Sequence, residues 1–522
     1  MRAGRFGLRI CTFVAGAALL LFGMGDRVHG AGPVRGGVLH IATNAEPGTL
    51  DWTASTATAT RLVAWHIYET LFALDKNYEV RPMLAEGYSV SADGLHYTVR
   101  LRKGVTFHTG QPMTADDVVA SLERWGKMSG GGRETFRFVK QVTKVDPATI
   151  EIELSRIFTP LIANIADPKE AAIIMPASLA ESSGLKPVKE YIGTGPYMFK
   201  RWDPGHEIVL VRNPNYASRT EEWGGLTGKK VAYADEIDFL PVRDDQVRFD
   251  GVSTGQYDLA LELQPDFFSQ VKANPHLTAS IVKVFTWRAI VFNKARAPFG
   301  DVRMRQAVMD AIKPADLMAA EGPHEFWTLD PGLFFPEQRA LYSVVGKDVY
   351  NRQNLEKAKG LLKEAGYAGQ KIAVMMTKDY TWNYNLTQVL VPELQAVGLN
   401  VDEQVYDWPT LLSRRAKPEG WDIFMTGFSP SFDPTAVIFF SSTWPGFYKS
   451  PAMEELLGKW GETPLTDAAA RKALMDQIQA TFYKEVPVAK IGNEYGLEVY
   501  GDRLHGYSGY FDVRFWNTWV TR

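Results

Sequence analysis

Residues 191–205 read YIGTGPYMFKRWDPG, a segment in which Gly193, Gly195 and Pro196 surround a threonine and precede a short apolar run. A loop of this kind can cradle a phosphate, form a catalytic turn or serve the shape of the backbone alone. It lacks the third glycine of a dinucleotide-binding fingerprint and the Lys-Ser/Thr pair of a P-loop, and Pro196 has no amide hydrogen to donate. We therefore interpret its glycines as a requirement of backbone shape.

The residues after the loop indicate two strands joined by a turn. Pro196 fixes the entry to a strand over 197–199, and the sequence DPG at 203–205 turns the chain toward a second strand, EIVLVRN (207–213). We therefore interpret the segment as a turn that leads into a pair of strands.

Length, composition and charge describe a large, ordered protein that is close to neutral. The chain has 522 residues, 45% of them hydrophobic and 12% aromatic, with a formal net charge of −3 at pH 7. This length predicts two or more domains. The charge gives no electrostatic support for binding nucleic acid or an anionic membrane. The 14 Trp and 21 Tyr are a generous supply, and aromatic residues outside a core often line binding clefts.

Residues 1–30 have the features of a cleavable signal peptide. Three arginines precede the apolar stretch CTFVAGAALLLFGMG (11–25), which is too short to span a bilayer comfortably. Val28 and Gly30 suit the positions before a cleavage site, so we expect cleavage after Gly30; an uncleaved anchor is the alternative. Cys11 is the only cysteine, so the mature chain would have no disulfide. We expect a soluble protein exported to a bacterial periplasm.

Apolar periodicity alternates between strand and helix along the chain, which indicates an α/β fold. The second half shows the βαβ rhythm of a smaller domain with parallel strands. The segments on which this rests are strands at 38–43, 97–101, 234–244, 287–293, 371–377 and 399–408, and helices at 60–75, 115–126, 302–312, 355–365 and 382–398.

Motifs of common enzyme and metal-site classes are missing from the sequence. It contains no GxSxG and no HExxH, and the eight histidines after residue 30 never lie two or four positions apart. The aspartates of RDDQVRFDG (243–251) miss the spacing of a calcium loop. We therefore expect no cofactor, no metal site and no catalysis. A Ser/His/Asp triad assembled from distant positions is the alternative.

Five motifs in a particular order resemble those of one protein family. They are FHTGQPMTADDVVASLERW (107–125), GTGPYMF (193–199), VRNPNYAS (211–218), PFGDVRMRQAVMDAI (298–312) and AVGLNVDEQVYDW (396–408). Together they resemble the family 5 extracellular solute-binding proteins of ABC importers, which serve peptides, nickel chelates, opines and some sugars. The resemblance covers nearly the whole chain after the signal segment.

The resemblance implies an α/β periplasmic-binding-protein fold of the Venus-flytrap type, with an enlarged, discontinuous first lobe and two hinge crossovers. We expect the large lobe over 31–287, the small lobe over 288–488 and a return to the large lobe over 489–522. The crossings are expected near 284–290 and 486–495. The implied partners are a solute in the interlobe cleft and an ABC permease in the inner membrane; we expect a monomer and no nucleic acid.

The resemblance also suggests where a ligand ammonium would bind. In peptide-binding relatives an Asp neutralises it, a few residues before an acidic-Pro pair. In MTGFSPSFDPTAVIFF (425–440), Asp433 and Pro434 match that pair, but Ser429, Ser431 and Phe432 precede it where the Asp is needed. This departure argues against an ordinary α-amino peptide, unless Asp433 or another carboxylate takes the role.

Other candidate ligand-binding residues come from segments expected to face the cleft. Lys378 matches the basic residue that holds the ligand carboxylate in dipeptide-binding relatives, and a solvated loop lysine is the alternative. The aromatic candidates favour an aromatic-walled pocket, although each one alone could be a core residue. They are Trp52, Trp287, Trp382, Tyr384, Phe428 and Phe432.

We therefore predict a periplasmic substrate-binding component of an ABC transporter that captures a peptide-like or other mid-sized solute. The alternatives are a secreted hydrolase with a triad assembled across lobes and a ligand sensor for a membrane receptor. A peptide, an opine-like conjugate, an oligosaccharide and an aromatic acid all stay open as ligands.

Overall fold

A computed structural model describes residues 32–521. The predicted signal peptide and its cleavage site lie outside these residues. None of the helices in the described part of the chain combines the length and apolar character that a membrane crossing requires.

The strands, in chain order, are β1 (Val38–Thr43), β2 (Phe72–Leu74), β3 (Val80–Pro82), β4 (Ala85–Val90), β5 (His96–Leu101), β6 (Val139–Asp146), β7 (Thr149–Leu154), β8 (Tyr197–Asp203), β9 (Glu207–Arg212), β10 (Glu236–Pro241), β11 (Leu259–Leu263), β12 (Leu277–Phe292), β13 (Trp327–Thr328), β14 (Lys371–Thr377), β15 (Asn400–Tyr406), β16 (Ile423–Phe428), β17 (Val488–Gly501), β18 (Leu504–His505) and β19 (Trp519–Val520).

The α-helices are α1 (Thr58–Ile67), α2 (Ala115–Met128), α3 (Gly130–Phe136), α4 (Leu161–Ile165), α5 (Ala177–Ser183), α6 (Asp245–Thr254), α7 (Phe268–Ala273), α8 (Val302–Ala311), α9 (Pro314–Ala319), α10 (Leu355–Glu364), α11 (Thr381–Ala396), α12 (Trp408–Arg415), α13 (Pro451–Glu462) and α14 (Ala468–Glu485).

The main sheet has two groups of parallel strands on either side of two long antiparallel strands. Its order is β15-β14-β16-β12-β17-β11-β1-β10-β9-β8, and β13 pairs with β17 outside this path. On the large-lobe side, β1 is parallel to β10 and β11; on the small-lobe side, β14 is parallel to β15 and β16. Between them β12 and β17 run antiparallel and join the two lobes of the α/β fold.

The long strands exceed what the sequence pattern predicts. β12 has 16 residues and β17 has 14, whereas the pattern predicts a strand only over 287–293 for β12 and the resemblance implies a crossing near 486–495 for β17. The predicted lobe boundaries fall inside β12 and at the start of β17, and they stay predictions.

The described residues form five apolar cores. Each lobe has two of them, one on each face of its part of the main sheet. In the large lobe, α1 and the C-terminal segment after β17 cover one face and α6 with α7 the other. In the small lobe, α8 to α11 cover one face and the segments around α12 to α14 the other. The fifth core lies between α2 and a separate four-stranded sheet, β4-β5-β7-β6.

The GTGPY loop forms a cap on helix α1. The amide of Gly195 donates to the carbonyl of Ile67 at 2.9 Å, and the amide of His108 donates to the carbonyl of Gly193 at 3.0 Å. A Cβ on either glycine would overlap the backbone carbonyl of Ile67. The helix therefore ends at Ile67, and β2 follows at Phe72, so the helix predicted over 60–75 is too long at its C-terminal end.

Candidate ligand-binding cleft

The two groups of parallel strands, one in each lobe, point their carboxyl ends toward each other along the long strands β12 and β17. On the large-lobe side, Leu263 at the end of β11 lies opposite Leu497 of β17. On the small-lobe side, Phe428 at the end of β16 lies opposite Trp287 of β12, which in turn lies opposite Asn493 of β17. Leu497 and Asn493 are four positions apart, which corresponds to a gap of about 13 Å. In open α/β sheets ligands bind outside such strand ends, and we call this gap the interlobe cleft.

The two long strands are irregular where they pass the interlobe cleft. Val282 lies opposite Gly496, but the next aligned pair is Thr286 with Glu494, so three residues of β12 oppose one of β17. Extra residues on one strand bend it and increase its twist. The sheet therefore changes direction between the lobes.

Glu262 stands at the large-lobe edge of the cleft in a left-handed backbone conformation, with φ of 50°. Such a conformation is costly for a residue other than glycine and is concentrated at functional sites. The Asn44 side chain donates to Oε2 of Glu262 at 2.5 Å, and no other hydrogen bond to this carboxylate is formed within residues 32–521. Burial raises its pKa, while the bond from Asn44 lowers it. Glu262 is thus a half-buried carboxylate with acceptor capacity to spare.

A second buried carboxylate, Glu498, follows Leu497 on β17. Tyr507 and Ser280 donate their hydroxyls to its Oε2 at 2.8 and 3.1 Å. Burial raises the pKa of Glu498 to about 7, and the two hydroxyl donors oppose this shift. Close to neutral pH this group can therefore take up or release a proton.

Arg514 contributes a positive charge near Glu498. Arg514 donates to Ser508 Oγ at 3.0 Å, and its buried Nη1 has no hydrogen-bond partner within the described chain. Asp167 is half-buried, accepts the amide of Lys169 at 2.8 Å and has a pKa raised by burial. The charge of Arg61 acts on both Asp167 and Glu262, and Arg61 itself is paired with Asp512 at 3.1 Å.

The small-lobe wall contains a charged cluster around Arg288 on the face of β12 away from Trp287. Its guanidinium contacts Glu321 and Glu494, with 2.6 Å from Nε to Glu321 Oε1 and 2.7 Å to Glu494 Oε2. The ring of Trp382 covers the guanidinium at 3.9 Å. Burial raises the pKa of Glu494; Arg288 opposes the shift and Glu321 adds to it. One cation is thus shared between two half-buried carboxylates.

Phe432 connects the small lobe with the large lobe. Its ring stacks on Tyr78 at a centroid distance of 6.1 Å and meets Phe511 edge-on at 5.3 Å. Nearby, the amide of Thr159 donates to the carbonyl of Gly461 at 2.7 Å. The described structure therefore has its lobes in contact beside the cleft.

The candidate residues predicted from the sequence occupy different environments. Trp287 and Phe428 pack together at 5.0 Å and are only 3% and 7% exposed, so they belong to an apolar core of the small lobe rather than to an open wall. Trp52 is apart from them, buried against Trp65 in the large lobe. Asp433 caps a short helix, accepts Trp460 Nε1 at 2.9 Å and is buried, so its oxygens are already used.

The remaining candidates are more accessible. Lys378 is exposed and lies over the ring of Tyr384 at 5.1 Å, next to the half-buried Trp382. Ser429 is exposed, whereas Ser431 is half-buried and its carbonyl accepts from Gln338 at 2.6 Å. The assignment of all ten residues to ligand binding stays a prediction.

Glu262 and Asn44, at the carboxyl ends of β11 and β1, are candidate cleft residues that the sequence analysis missed. The alternation of apolar residues over 259–263 does not reveal that Glu262 adopts a left-handed backbone conformation near the strand end. The available signal was Pro265, which marks the end of β11 and therefore the edge of the sheet. No group of three or more His, Cys, Asp or Glu is placed to hold a metal ion within residues 32–521.

Known proteins share both sequence and fold with this chain. A probable peptide ABC transporter periplasmic-binding protein, y4tO of Sinorhizobium fredii, is 30% identical over 485 residues, 87% of this chain and 88% of the relative. The glutathione-binding protein GsiB of Escherichia coli K12 is 26% identical and covers 90% of this chain and 91% of its own.

Solved structures match over nearly the full length. CtaP, an ABC transporter substrate-binding protein of Listeria monocytogenes, gives a TM-score of 0.79 at 22% identity, covering 94% of this chain and 100% of its own. DppA of Helicobacter pylori, in complex with the peptide STSA, gives 0.74 at 24% identity, covering 94% and 99%. The family model for bacterial extracellular solute-binding proteins, family 5, matches residues 79–448. With the two-lobed sheet, these matches place the chain in the family 5 extracellular solute-binding proteins.

Proposed function

We propose that the protein captures a peptide-like solute in the interlobe cleft and delivers it to an ABC permease in the inner membrane. The observation that carries this proposal is the pair of strand edges facing each other across a gap of about 13 Å, each bearing a charged group free to bind a ligand. On the large-lobe edge this group is Glu262, and on the small-lobe edge it is Lys378. A zwitterion such as a peptide has the complementary charges.

In this proposal Glu262 neutralises the ligand ammonium. The segment 425–440 lacks the Asp expected there, and Asp433 is occupied by Trp460 and Thr435. Glu262 instead offers a carboxylate whose only hydrogen-bond donor within the described chain is Asn44. A charge-assisted bond to an ammonium would restore its ionised form, which burial disfavours. The relatives named for peptides and glutathione make such a ligand the first class to test.

Capture works by differential affinity for two states. A ligand that contacts both edges of the cleft binds the closed state more tightly than the open one, and this difference drives closure. Closure excludes water and strengthens the polar contacts to the ligand. Delivery then requires only that the permease recognise the closed form, so no covalent step is involved.

Native mass spectrometry of protein purified without denaturation tests the proposal, followed by calorimetric titration with the released solute. We expect a peptide-like mass of one ligand per chain, reversible binding and a rise in melting temperature with ligand concentration. The ligand should be recovered intact after prolonged incubation. Turnover of the ligand would favour the hydrolase alternative, and failure of peptide pools to bind would reject the proposed ligand class.

A further inference from the structure

A cavity of about 990 Å³ opens at the end of the small lobe that lies away from the interlobe cleft. Lys294, which lines it, lies two positions after Phe292, and Phe292 pairs with Ile423, the first residue of β16. Phe428, the last residue of β16, lies at the cleft end of the strand. A strand of this length spans about 17 Å, so the cavity and the cleft are separate sites.

Cationic side chains outnumber carboxylates in the lining of this cavity. The cations are Lys294, Arg305, Lys449 and Lys484, and we call the cavity that they define the basic cavity. The one carboxylate in the lining is Glu485, whose Oε2 accepts the hydroxyl of Tyr448 at 2.5 Å. Within residues 32–521 none of the four cations forms an ion pair with a carboxylate, so the charge of the lining is not balanced by the chain itself.

The two inner cations, Lys294 and Arg305, are held by backbone carbonyls. Lys294 Nζ donates to the carbonyls of Phe292 and Pro487 at 2.9 and 2.8 Å, and its third N–H has no acceptor within the described chain. Arg305 is only 6% exposed and donates to backbone carbonyls, including that of Glu485 at 2.6 Å. Burial lowers the pKa of both side chains, and the charge of Arg305 lowers that of Lys294 further. An anion from outside the chain would relieve this repulsion.

The chemistry of the lining favours a phosphate group over a carboxylate. A guanidinium with a free edge binds a carboxylate through two parallel bonds, but Arg305 already donates to carbonyls of its own chain. Lysine ammonium groups bind phosphate as point charges, and three lysines line the basic cavity. Helices α8 and α13 begin at Val302 and Pro451, which also line it, and the N-terminus of a helix favours a phosphate.

The size and the apolar part of the lining indicate more than an inorganic ion. Ligand pockets for small organic molecules measure about 300–1,000 Å³, and the basic cavity lies within this range. Phe447 and Pro418 add apolar surface to its lining. The half-buried Phe447 has a left-handed backbone conformation, with φ of 52°, which is costly for an aromatic residue.

We propose that the basic cavity binds a phosphate ester, at a site separate from the solute in the interlobe cleft. The phosphate lies among the lysines and the two helix N-termini, and the organic part of the ester packs against Phe447 and Pro418. A soluble phosphate ester and a phospholipid headgroup present the same phosphate chemistry. The inference goes beyond the proposed function, because it requires neither a peptide nor closure of the lobes.

Two probes test the proposal and distinguish the two sources. Calorimetric titration with glycerol 3-phosphate tests a soluble ester, and co-sedimentation with phosphatidylglycerol vesicles tests a lipid headgroup, with phosphatidylcholine vesicles as the control. We expect saturable binding of one of these probes, with one glycerol 3-phosphate per chain if the source is soluble. Succinate, a dicarboxylate, should bind at least about ten-fold more weakly than glycerol 3-phosphate or compete that much less well with the vesicles.

The double variant Lys449→Gln with Lys484→Gln should weaken binding of the probe by about ten-fold or more. Both lysines are exposed, so the fold does not depend on them. The matched control is Lys459→Gln with Lys472→Gln, which removes two exposed charges from α13 and α14. Each of these lysines is paired with a carboxylate four positions away and lies outside the lining of the basic cavity. The control variant should bind the probe like the wild type.

The outcome for the basic cavity is independent of the outcome for peptide capture. If neither probe binds, or if the variant at 449 and 484 binds as tightly as the control variant, the basic cavity is not a phosphate site. Succinate binding as tight as that of the phosphate probe would overturn the choice of phosphate. Peptide titration of the same two variants should give equal affinities, and failure of all three proteins to bind peptides would reject the proposed function alone.

Discussion

At Glu262 a strained backbone conformation and a proposed ligand contact occur in the same residue. Its left-handed φ of 50° puts the carboxylate at the edge of the large lobe, and its carbonyl accepts from Arg248 Nη2 at 3.2 Å. The backbone is therefore held by Arg248, while Oε1 of Glu262 has no hydrogen-bond partner among residues 32–521. A glycine would adopt this conformation at lower cost, so the side chain is the reason to retain a glutamate here.

Replacing Glu262 by Gln should weaken the binding of a solute with a free ammonium. Gln keeps the shape and can still accept from Asn44, but it cannot pair with a cation, so we expect a loss of about ten-fold or more in affinity. Calorimetric titration with a peptide and its N-acetylated form measures this effect. The exposed Glu403 on β15, changed to Gln, is the matched control. An affinity that survives Glu262→Gln intact would remove Glu262 from the site.

Glu498 predicts a defined pH dependence of stability. Its pKa rises from 4.5 to about 7 on folding, which corresponds to roughly 3 kcal/mol. Because the folded pKa is the higher one, the folded state holds its proton more tightly. The stabilisation is complete below pH 4.5 and is lost as the pH rises through 7.

The stability of Glu498→Gln should not fall in this way as the pH rises, because the amide does not ionise and still accepts from Tyr507 and Ser280. Relative to the wild type, the variant should gain up to about 3 kcal/mol in free energy of unfolding between pH 4.5 and pH 8. Urea unfolding at both pH values measures this difference. A constant difference between variant and wild type would mean that folding does not shift the pKa of Glu498.

Among the secondary-structure elements, helix α1 depends on the GTGPY loop that caps it. Gly195 has no Cβ, so its amide can reach the carbonyl of Ile67. Gly195→Ala would force a methyl group onto the backbone of residues 66 and 67, and we expect a cost of about 2 kcal/mol or more. Gly87→Ala on β4 meets nothing within 4 Å and serves as the control. Equal melting temperatures for the two variants would contradict the packing role of the loop.

The elements themselves were largely predictable from local patterns, whereas their partners were not. Strands β1 and β14 begin and end where the alternation predicts. The end of α1 was missed because the cap comes from a loop more than a hundred residues away. Asp433 illustrates the same limit for the site: its sequence neighbours suggest a ligand carboxylate, but Trp460 from another helix occupies it.

At the scale of the whole molecule, the lobes touch beside the cleft through a backbone contact. The amide of Thr159 donates to the carbonyl of Gly461 at 2.7 Å, and Thr159 Oγ1 donates to the carbonyl of Trp460 at 3.3 Å. These residues belong to the region before β12 and to helix α13, respectively. If ligand release requires the lobes to separate, this contact must break whenever the cleft opens.

A disulfide across this contact should trap the closed state. Residues joined by one backbone hydrogen bond lie within the Cα separation that a disulfide spans, about 4.4–6.8 Å, and Cys11 is the sequence's only cysteine. A protein that begins at residue 31 and carries both Thr159→Cys and Gly461→Cys would therefore have two cysteines and one possible disulfide. Loaded with ligand and then oxidised, it should release the ligand at least ten-fold more slowly than after reduction, because opening is blocked. The exchange of an isotope-labelled ligand, followed by mass spectrometry, measures this rate, and Thr159→Cys alone is the control. Equal exchange in the oxidised and reduced double variant would show that the solute leaves without separation of the lobes at this contact.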